Sequence, residues 1–183
     1  MDQQFSSKKT SINSRKLPAI YNKIDWSKLN GKILLDFGCG KYYNIIREYL
    51  ERFNIKYIPY DKYWDVGNYD EIETMLKNQQ IDIIVSSNVF NVIKEDEIIS
   101  SILTNLLCND IKNTPYVFLK IYEGNKSNFG CKSMNDSWQR NQKLKVFYNE
   151  FFNSDFAKKE FYDYNFIIFK NTIISNKSKQ FFY

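Results

Sequence analysis

The chain has 183 residues, of which 43% are hydrophobic and 17% aromatic, a formal net charge of +5 and no histidine. This length and apolar content suit one domain with one sizeable core. The lack of histidine excludes Ser-His-Asp and Cys-His nucleophile pairs, two-histidine zinc helices and any pH switch that works through imidazole. The three cysteines, Cys39, Cys108 and Cys131, form no CxxC pair, which suits a reducing compartment, and we expect no metal site.

The positive charge is concentrated at the two ends of the chain. Residues 1–32 sum to +5, residues 33–119 to −5 and residues 120–183 to +5. A basic flank is often a solvated face, but two of them also suit an anionic partner such as nucleic acid or a phosphorylated metabolite. The first twelve residues are polar and no run of 18 apolar residues occurs, so we expect a cytoplasmic protein with no membrane partner.

Apolar runs and helical periodicity alternate along the sequence. A short helix is predicted between Leu17 and Ile24. After it, short apolar runs predict strands and apolar residues at helical spacing predict helices, in the order strand 32–37, helix 42–53, strand 55–61, helix 69–79, strand 81–85, helix 95–108, strand 116–122, helix 138–152, and β-rich segments 158–163 and 166–174. Pro59 in the second strand suits a strand end or an edge strand.

This order predicts an α/β fold: a single-domain, Rossmann-like, doubly wound sheet that is mostly parallel and ends in an antiparallel C-terminal hairpin. We divide the chain into a flexible basic N-terminal arm over 1–15, a domain over 16–175 and a tail over 176–183. Ligands of such sheets bind at the carboxyl ends of the strands. The residues that close each predicted strand are therefore the candidate site residues.

The first strand ends in Asp36-Phe37-Gly38-Cys39-Gly40. Two glycines one residue apart allow a tight strand-to-helix turn and close approach of a ligand, and the helix start offers free N–H groups. A dinucleotide fingerprint needs a third glycine where this chain has Tyr43. The alternative is a tight turn that binds no ligand.

Two carboxylates suggest what the turn binds. Asp36 would repel a diphosphate and attract an ammonium group, and Asp61 follows Gly40 by 21 residues, near the spacing at which an acid binds ribose hydroxyls. Asp61 could instead cap a helix or end the strand in solvent. Asp82 more readily begins its strand as an exposed residue. The implied ligand has a cationic amino end and a ribose, and S-adenosylmethionine has both.

The sequence also resembles a known family. The stretch 35–40, Asp61 after the second strand and the motif 82–88 resemble the class I S-adenosylmethionine-dependent methyltransferases. Over residues 10 to 170, a narrower similarity to small phage-type predicted methyltransferases rests on four motifs: Ser14-Arg15-Lys16-Leu17-Pro18, Ser87-Asn88-Val89-Phe90-Asn91-Val92-Ile93, Tyr122-Glu123-Gly124 and Ser137-Trp138-Gln139-Arg140-Asn141.

The resemblance implies a methyltransferase domain over 16–175 and a set of cofactor contacts. Asp36, Gly38 and Gly40 would surround the methionine moiety of S-adenosylmethionine, and Asp61 would bind the ribose. Ser87 and Asn88 would complete the cofactor site. The Asn/Asp-Pro-Pro-aromatic motif of amino-methylating DNA enzymes is absent, and Ser86-Ser87-Asn88-Val89 stands in its place.

Asn88 and Glu123 are the candidate catalytic residues. Asn88 could orient a neutral nitrogen or hydroxyl acceptor and Glu123 could take its proton. Asn88 could instead cap the next turn, as we also expect of Asn91, and Glu123 could be a surface carboxylate.

A second group of residues could bind the acceptor. Trp138, Arg140 and Asn141 have stacking and hydrogen-bonding capacity, and Arg15 and Lys16 could close over the same opening. Trp138 could equally be a core anchor, and the arm that carries Arg15 and Lys16 could be merely solvated.

We therefore expect methyl transfer to an anionic acceptor, with nucleic acid modification as the first possibility. Alignment of nucleophile, methyl and sulfur lowers the barrier of such a displacement, so histidine is dispensable. The alternatives are a non-catalytic or S-adenosylmethionine-cleaving protein of the same fold, acting as a binding or counter-defence module, and a nucleotide-dependent oxidoreductase.

Overall fold

A computed structural model describes residues 3–6, 15–107, 116–132, 137–152, 158–162 and 166–170. The strands are β1 (Ile33–Phe37), β2 (Lys56–Tyr60), β3 (Ile83–Ser87), β4 (Tyr116–Lys120), β5 (Cys131–Lys132), β6 (Trp138–Gln139), β7 (Lys158–Tyr162) and β8 (Phe166–Lys170). The α-helices are α1 (Tyr43–Glu51), α2 (Tyr69–Lys77), α3 (Asp96–Leu107) and α4 (Leu144–Phe151), and 3-10 helices span Ala19–Lys23, Trp26–Leu29 and Phe90–Val92.

The main sheet has the strand order β2-β1-β3-β4-β8-β7. The first four strands are parallel, β8 runs antiparallel to β4, and β7 pairs antiparallel with β8. The predicted α/β architecture, with a mostly parallel sheet and an antiparallel C-terminal hairpin, is therefore confirmed.

Helices cover both faces of the sheet, as a doubly wound fold requires. One face packs under the first two 3-10 helices and α1, with Tyr21, Trp26 and Leu50 in its core. The other packs under α2, α3 and α4, with Leu76, Leu103 and Phe147 in its core. Because β1 and β3 are buried on both faces, each begins with a continuous apolar run, over 33–35 and 83–85.

Pro59 lies in β2, which is an edge strand of the described sheet, as predicted. The Lys56 N–H donates to the Lys32 carbonyl of the β1 side. Since the N–H groups of a strand point alternately to its two sides, an N–H group at position 59 would point away from β1. Its missing N–H therefore costs no hydrogen bond within the sheet.

The prediction of one helix over 138–152 is wrong in its first six residues. Trp138 and Gln139 form β6, which pairs antiparallel with β5, and α4 begins only at Leu144. Long-range pairing overrides helical spacing here, because Gln139 and Asn141 also bond to the loop after β4. The predicted strand residues 171–174, helix residue 108, tail 176–183 and arm residues 7–14 lie outside the described residues.

Candidate functional site

A cavity opens at the topological switch point of the sheet. From β1 the chain continues to β2 on one side and returns to β3 on the other, so a crevice forms outside the carboxyl ends of β1 and β3. The cavity has a volume of about 870 Å³, within the range of small-molecule sites. We call it the switch-point cavity. It is lined by Asp36, Gly38, Gly40, Asp61, Ser87 and Asn88, all of which the sequence nominates for cofactor binding.

The glycine turn after β1 is tied to the end of β2. The N–H groups of Gly38 and Cys39 both donate to the Tyr60 carbonyl, at 2.8 and 3.0 Å, and that of Gly40 donates to Asp61 Oδ2 at 2.9 Å. These three turn amides are therefore used within the protein, whereas the free N–H groups expected from the sequence are those at the start of α1. The turn is not a phosphate-binding nest, because its donors are already used.

The two glycines have different roles in this turn. Both have positive φ, 79° for Gly38 and 72° for Gly40, which a side chain would strain. A Cβ at Gly38 would lie 2.2 Å from a methyl of Val89, so Gly38 allows the β1 and β3 loops to approach each other. A Cβ at Gly40 would meet nothing within 4 Å, so Gly40 leaves the backbone open on the cavity side.

Asp36 is a buried carboxyl group in the cavity wall. It is 2% exposed and accepts a hydrogen bond from the Tyr57 hydroxyl at 2.6 Å, and the Tyr21 hydroxyl lies beside it. Burial raises the pKa of Asp36 to about 7, against the lowering effect of the two tyrosines. A cationic ligand group bound beside Asp36 would lower this pKa, so the carboxyl group would ionise when the ligand binds.

Sequence reasoning missed both tyrosines. Tyr57 lies two residues before Pro59, which is opposite Asp36 in the parallel register, so Tyr57 and Asp36 point to the same face of the sheet. That register cannot be read from the sequence, and Tyr57 alone reads as an ordinary strand aromatic.

Asp61 organises the rim of the cavity. Besides the Gly40 N–H, its carboxylate accepts the N–H groups of Tyr63 at 2.9 Å and Trp64 at 3.2 Å. The 21-residue spacing thus reflects a direct contact between the β2 end and the glycine turn. A carboxylate offers about four acceptor sites, so three amides leave capacity for one hydroxyl.

Asn88 supplies a buried polar atom without a partner. It follows β3 in the left-handed region at φ 62°, and its N–H donates to the Lys120 carbonyl at 2.8 Å. Its Oδ1 is buried and makes no hydrogen bond, while the residue lines the cavity next to Ser87. A buried acceptor left unpaired costs about 1–3 kcal/mol, so it marks a place where a ligand N–H or O–H would be stabilising.

Most of the other residues of the cavity wall are apolar, but the wall also includes Glu97 and four lysines, which are Lys16, Lys41, Lys62 and Lys120. Tyr60 and Tyr69 lie with ring centroids 5.5 Å apart, and α3 contributes Ile98 and Ile102. The cavity therefore has a polar end at the strand termini and an aromatic and aliphatic end that suits a flat ring system.

Lys120 at the end of β4 is a cavity residue that the sequence analysis did not single out. It is opposite Ser87 in the register, and burial lowers its pKa. The sequence contains a signal for this residue, because Lys120 is a charged residue at the carboxyl end of an apolar strand. Cys39 also lines the cavity, but burial raises the pKa of its thiol, so it is not a ready nucleophile.

Glu123 is not among the residues that line the cavity. Its carboxylate accepts the N–H of Leu144 at the start of α4, at 2.7 Å, and pairs with Lys126 at 2.9 Å. Burial alone would raise the pKa of Glu123, but these partners lower it overall. The geometry places Glu123 in the support of the loop after β4 and gives no support to the predicted proton acceptor.

The three predicted acceptor-binding residues that precede α4 also lie outside the cavity wall. Arg140 donates to the Ile93 and Lys94 carbonyls and pairs with Asp96 at 2.6 Å. Asn141 accepts the Asn125 N–H and donates to the Phe129 carbonyl. Trp138 is half-buried, packs on Gly130 and stacks with Phe5 at 5.6 Å, and it belongs to neither core cluster of the described residues.

Asn91 joins these residues into one network rather than capping its own turn. Its side chain accepts the Tyr122 N–H and donates to Gln139, and its carbonyl accepts the Arg140 N–H. We call Asn91, Gln139, Arg140 and Asn141 the loop network, because their hydrogen bonds fix the loop after β4. Three of the motifs that carry the family resemblance thus meet beside the cavity and brace one another.

The N-terminal residues divide between the cavity and the surface. Lys16 lines the cavity, whereas Arg15 is exposed and lies 6.0 Å from the Tyr42 ring. Part of the predicted flexible arm contacts the domain, since Phe5 stacks on Trp138 and the Gln4 N–H donates to Glu95.

Within the described ranges, no group of three or more potential ligands could bind a metal ion. In the same ranges, no helix combines the length and apolarity that crossing a bilayer requires. No protein-family model matches the sequence, and no curated protein matches it either.

Proposed function

We propose that this protein is an S-adenosylmethionine-dependent methyltransferase that modifies an anionic acceptor, with nucleic acid the first candidate. The observation that carries the proposal is the presence of two buried polar groups in the wall of one cavity. The buried carboxyl of Asp36 and the unpartnered amide oxygen of Asn88 both belong to the wall at the switch point.

The residues of the cavity fit the parts of this cofactor. Asp36 and Asn88 are acceptors for an ammonium group, Asp61 has a free acceptor position for a ribose hydroxyl, and the Tyr60 side of the wall suits a purine. Lys120 would attract an anionic group at the same edge. Such a set is poorly suited to a dinucleotide, because Asp36 would repel a diphosphate and the turn amides are already used.

When bound, S-adenosylmethionine supplies an activated methyl group. The protein then has to fix the acceptor in line and exclude water, and such orientation contributes about 7–11 kcal/mol to rate acceleration. The left-handed backbone and the Asn88–Lys120 bond fix the position from which Asn88 can accept an N–H of the acceptor. No residue of the proposal requires imidazole.

Calorimetric titration tests the cofactor assignment. We expect S-adenosylmethionine to bind and NADH not to bind. Asp36→Asn should weaken binding by about tenfold or more, because a hydrogen bond to a charged group contributes about 1.5–3 kcal/mol. Asp82→Asn is the matched control: Asp82 lies at the amino end of β3, bonded to Lys32 and to the Ile33 N–H, and should leave affinity unchanged.

Incubation with radiolabelled methyl donor and separate pools of DNA, RNA, protein and small molecules tests the reaction. Label in a pool, together with S-adenosylhomocysteine as the product, supports transfer. Cofactor breakdown with no labelled pool indicates cleavage, and binding with neither product indicates a non-catalytic protein. Either of these last outcomes contradicts the proposal.

A further inference from the structure

Two of the three large hydrophobic side chains that are exposed among the described residues lie in the segment 122–132 after β4, and the third lies in α4. Tyr122 is 55% exposed, Phe129 79% and Val146 37%, whereas the chain has 29 Tyr and Phe residues in all. Single exposed hydrophobics are ordinary, but Tyr122 and Phe129 are two exposed aromatic rings within eight residues of one loop. The segment starts two residues after Lys120, at the rim of the switch-point cavity.

The loop that carries the two aromatic rings is held in place by hydrogen bonds from side chains to its backbone. Gln139 donates to the Tyr122 carbonyl and Asn141 donates to the Phe129 carbonyl, while Asn91 accepts the Tyr122 N–H. The loop network therefore presents both rings to solvent on an ordered backbone. A ring on such a backbone loses little conformational freedom when a partner stacks on it.

The charge around the rings identifies the chemistry of the partner. The described residues from this segment to the start of α4, 122–132 and 137–146, carry four exposed lysines and a single carboxylate. That carboxylate, Glu123, is buried and paired with Lys126. The exposed lysines are Lys126, Lys132, Lys143 and Lys145. Flat rings interleaved with positive charge match a polyanion that has flat groups of its own.

We propose that residues 122–132 form a binding surface for single-stranded nucleic acid. Bases stack on Tyr122 and Phe129, and the backbone phosphates lie near Lys126 and Lys132. A duplex cannot use the rings in this way, because its bases are already stacked on one another. The identification of this strand as the methyl acceptor rests on the function proposed above; the binding surface itself does not.

Fluorescence anisotropy with one labelled oligonucleotide, as single strand and as duplex, tests the surface at low salt and without cofactor. We expect the single strand to bind more tightly. Tyr122→Ala and Phe129→Ala should each weaken binding by about fivefold to 150-fold, whereas Tyr122→Phe, which retains the ring, should bind like the unmodified protein. Lys132→Ala should weaken binding and reduce its salt dependence, and Lys56→Ala, at the amino end of β2, should not.

Four outcomes would overturn this inference: no binding of any oligonucleotide, equal binding of the duplex, full binding by both alanine variants of the rings, or preference for anionic vesicles. Because both rings are exposed, the alanine variants should fold, and circular dichroism checks this. If the oligonucleotide results are as expected but S-adenosylmethionine does not bind, the proposed function fails and the surface remains.

Discussion

Asn88 and Asn141 are two asparagines in the left-handed region, with φ of 62° and 53°, but their side chains differ in what they contact. Asn88 lines the switch-point cavity with a buried amide oxygen that no protein group satisfies. In the loop network, Asn141 uses its oxygen for the Asn125 N–H and its nitrogen for the Phe129 carbonyl and Cys131. The amide oxygen of Asn88 is therefore available to a ligand, whereas the amide oxygen and nitrogen of Asn141 are both used within the fold.

The same contrast separates the acids of the two regions. Asp36 is buried with a pKa of about 7, whereas Glu123 has a lowered pKa because the Leu144 N–H and Lys126 stabilise its charge. Ionisation of the buried Asp36 carboxyl destabilises the folded state, whereas ionisation of the paired Glu123 carboxyl stabilises it.

The largest expected effect is the pH dependence caused by Asp36. Between the unfolded pKa of 3.8 and the folded pKa of about 7, the folded state retains a proton that the unfolded state has lost, so its stability falls as pH rises. Asp36→Asn should remove this loss, raising the free energy of unfolding at pH 8 by up to about 4 kcal/mol and leaving it unchanged near pH 3. Urea unfolding across this range measures the difference. An equal gap at every pH would contradict the assignment.

Arg140→Met should destabilise the protein by about 3 kcal/mol, because it removes bonds to two carbonyls and to Asp96 while retaining a similar apolar volume. Asp96→Asn, at a side chain that is 54% exposed, should cost about 1 kcal/mol or less. Urea unfolding gives both values, and S-adenosylmethionine affinity should change in neither. A loss of affinity without a loss of stability would place Arg140 in the binding site instead.

The asparagine pair offers a matched substitution. Glycine keeps both left-handed backbones, so Asn141→Gly should cost about 2 kcal/mol more stability than Asn88→Gly, since only the former breaks hydrogen bonds. Asn88→Gly should instead reduce ligand affinity or methyl transfer. Thermal unfolding and calorimetric titration of both variants measure the two effects, and identical profiles would contradict the distinction.

The smallest effect is expected for Glu123→Gln. The charge contributes about 1 kcal/mol through the Leu144 N–H and Lys126, a contribution lost as pH falls below 4.5. Unfolding measurements should show that loss, and turnover should be unchanged because Glu123 does not line the cavity. Unchanged stability with reduced turnover would restore Glu123 as the proton acceptor.

The sequence predicts the sheet and the cavity better than the loops. Apolar runs such as 32–37 identify strands because burial on both faces leaves a local pattern, and Gly38 and Gly40 identify a strand-to-helix turn because they are close together in the sequence. Trp138 and Gln139 depend on pairing with Cys131 and Lys132, and Glu123 depends on Leu144 21 residues later. Those contacts depend on register, which no local pattern records.

Pro59 also affects how the protein meets copies of itself. An edge strand offers N–H groups on which another chain can extend the sheet. In β2 the outward donor at Pro59 is missing, and the next one along, the Asp61 N–H, is used by the Val66 carbonyl. The edge therefore offers a broken row of donors. This interruption protects the molecule against strand-by-strand aggregation at the concentrations that titration and crystallisation need.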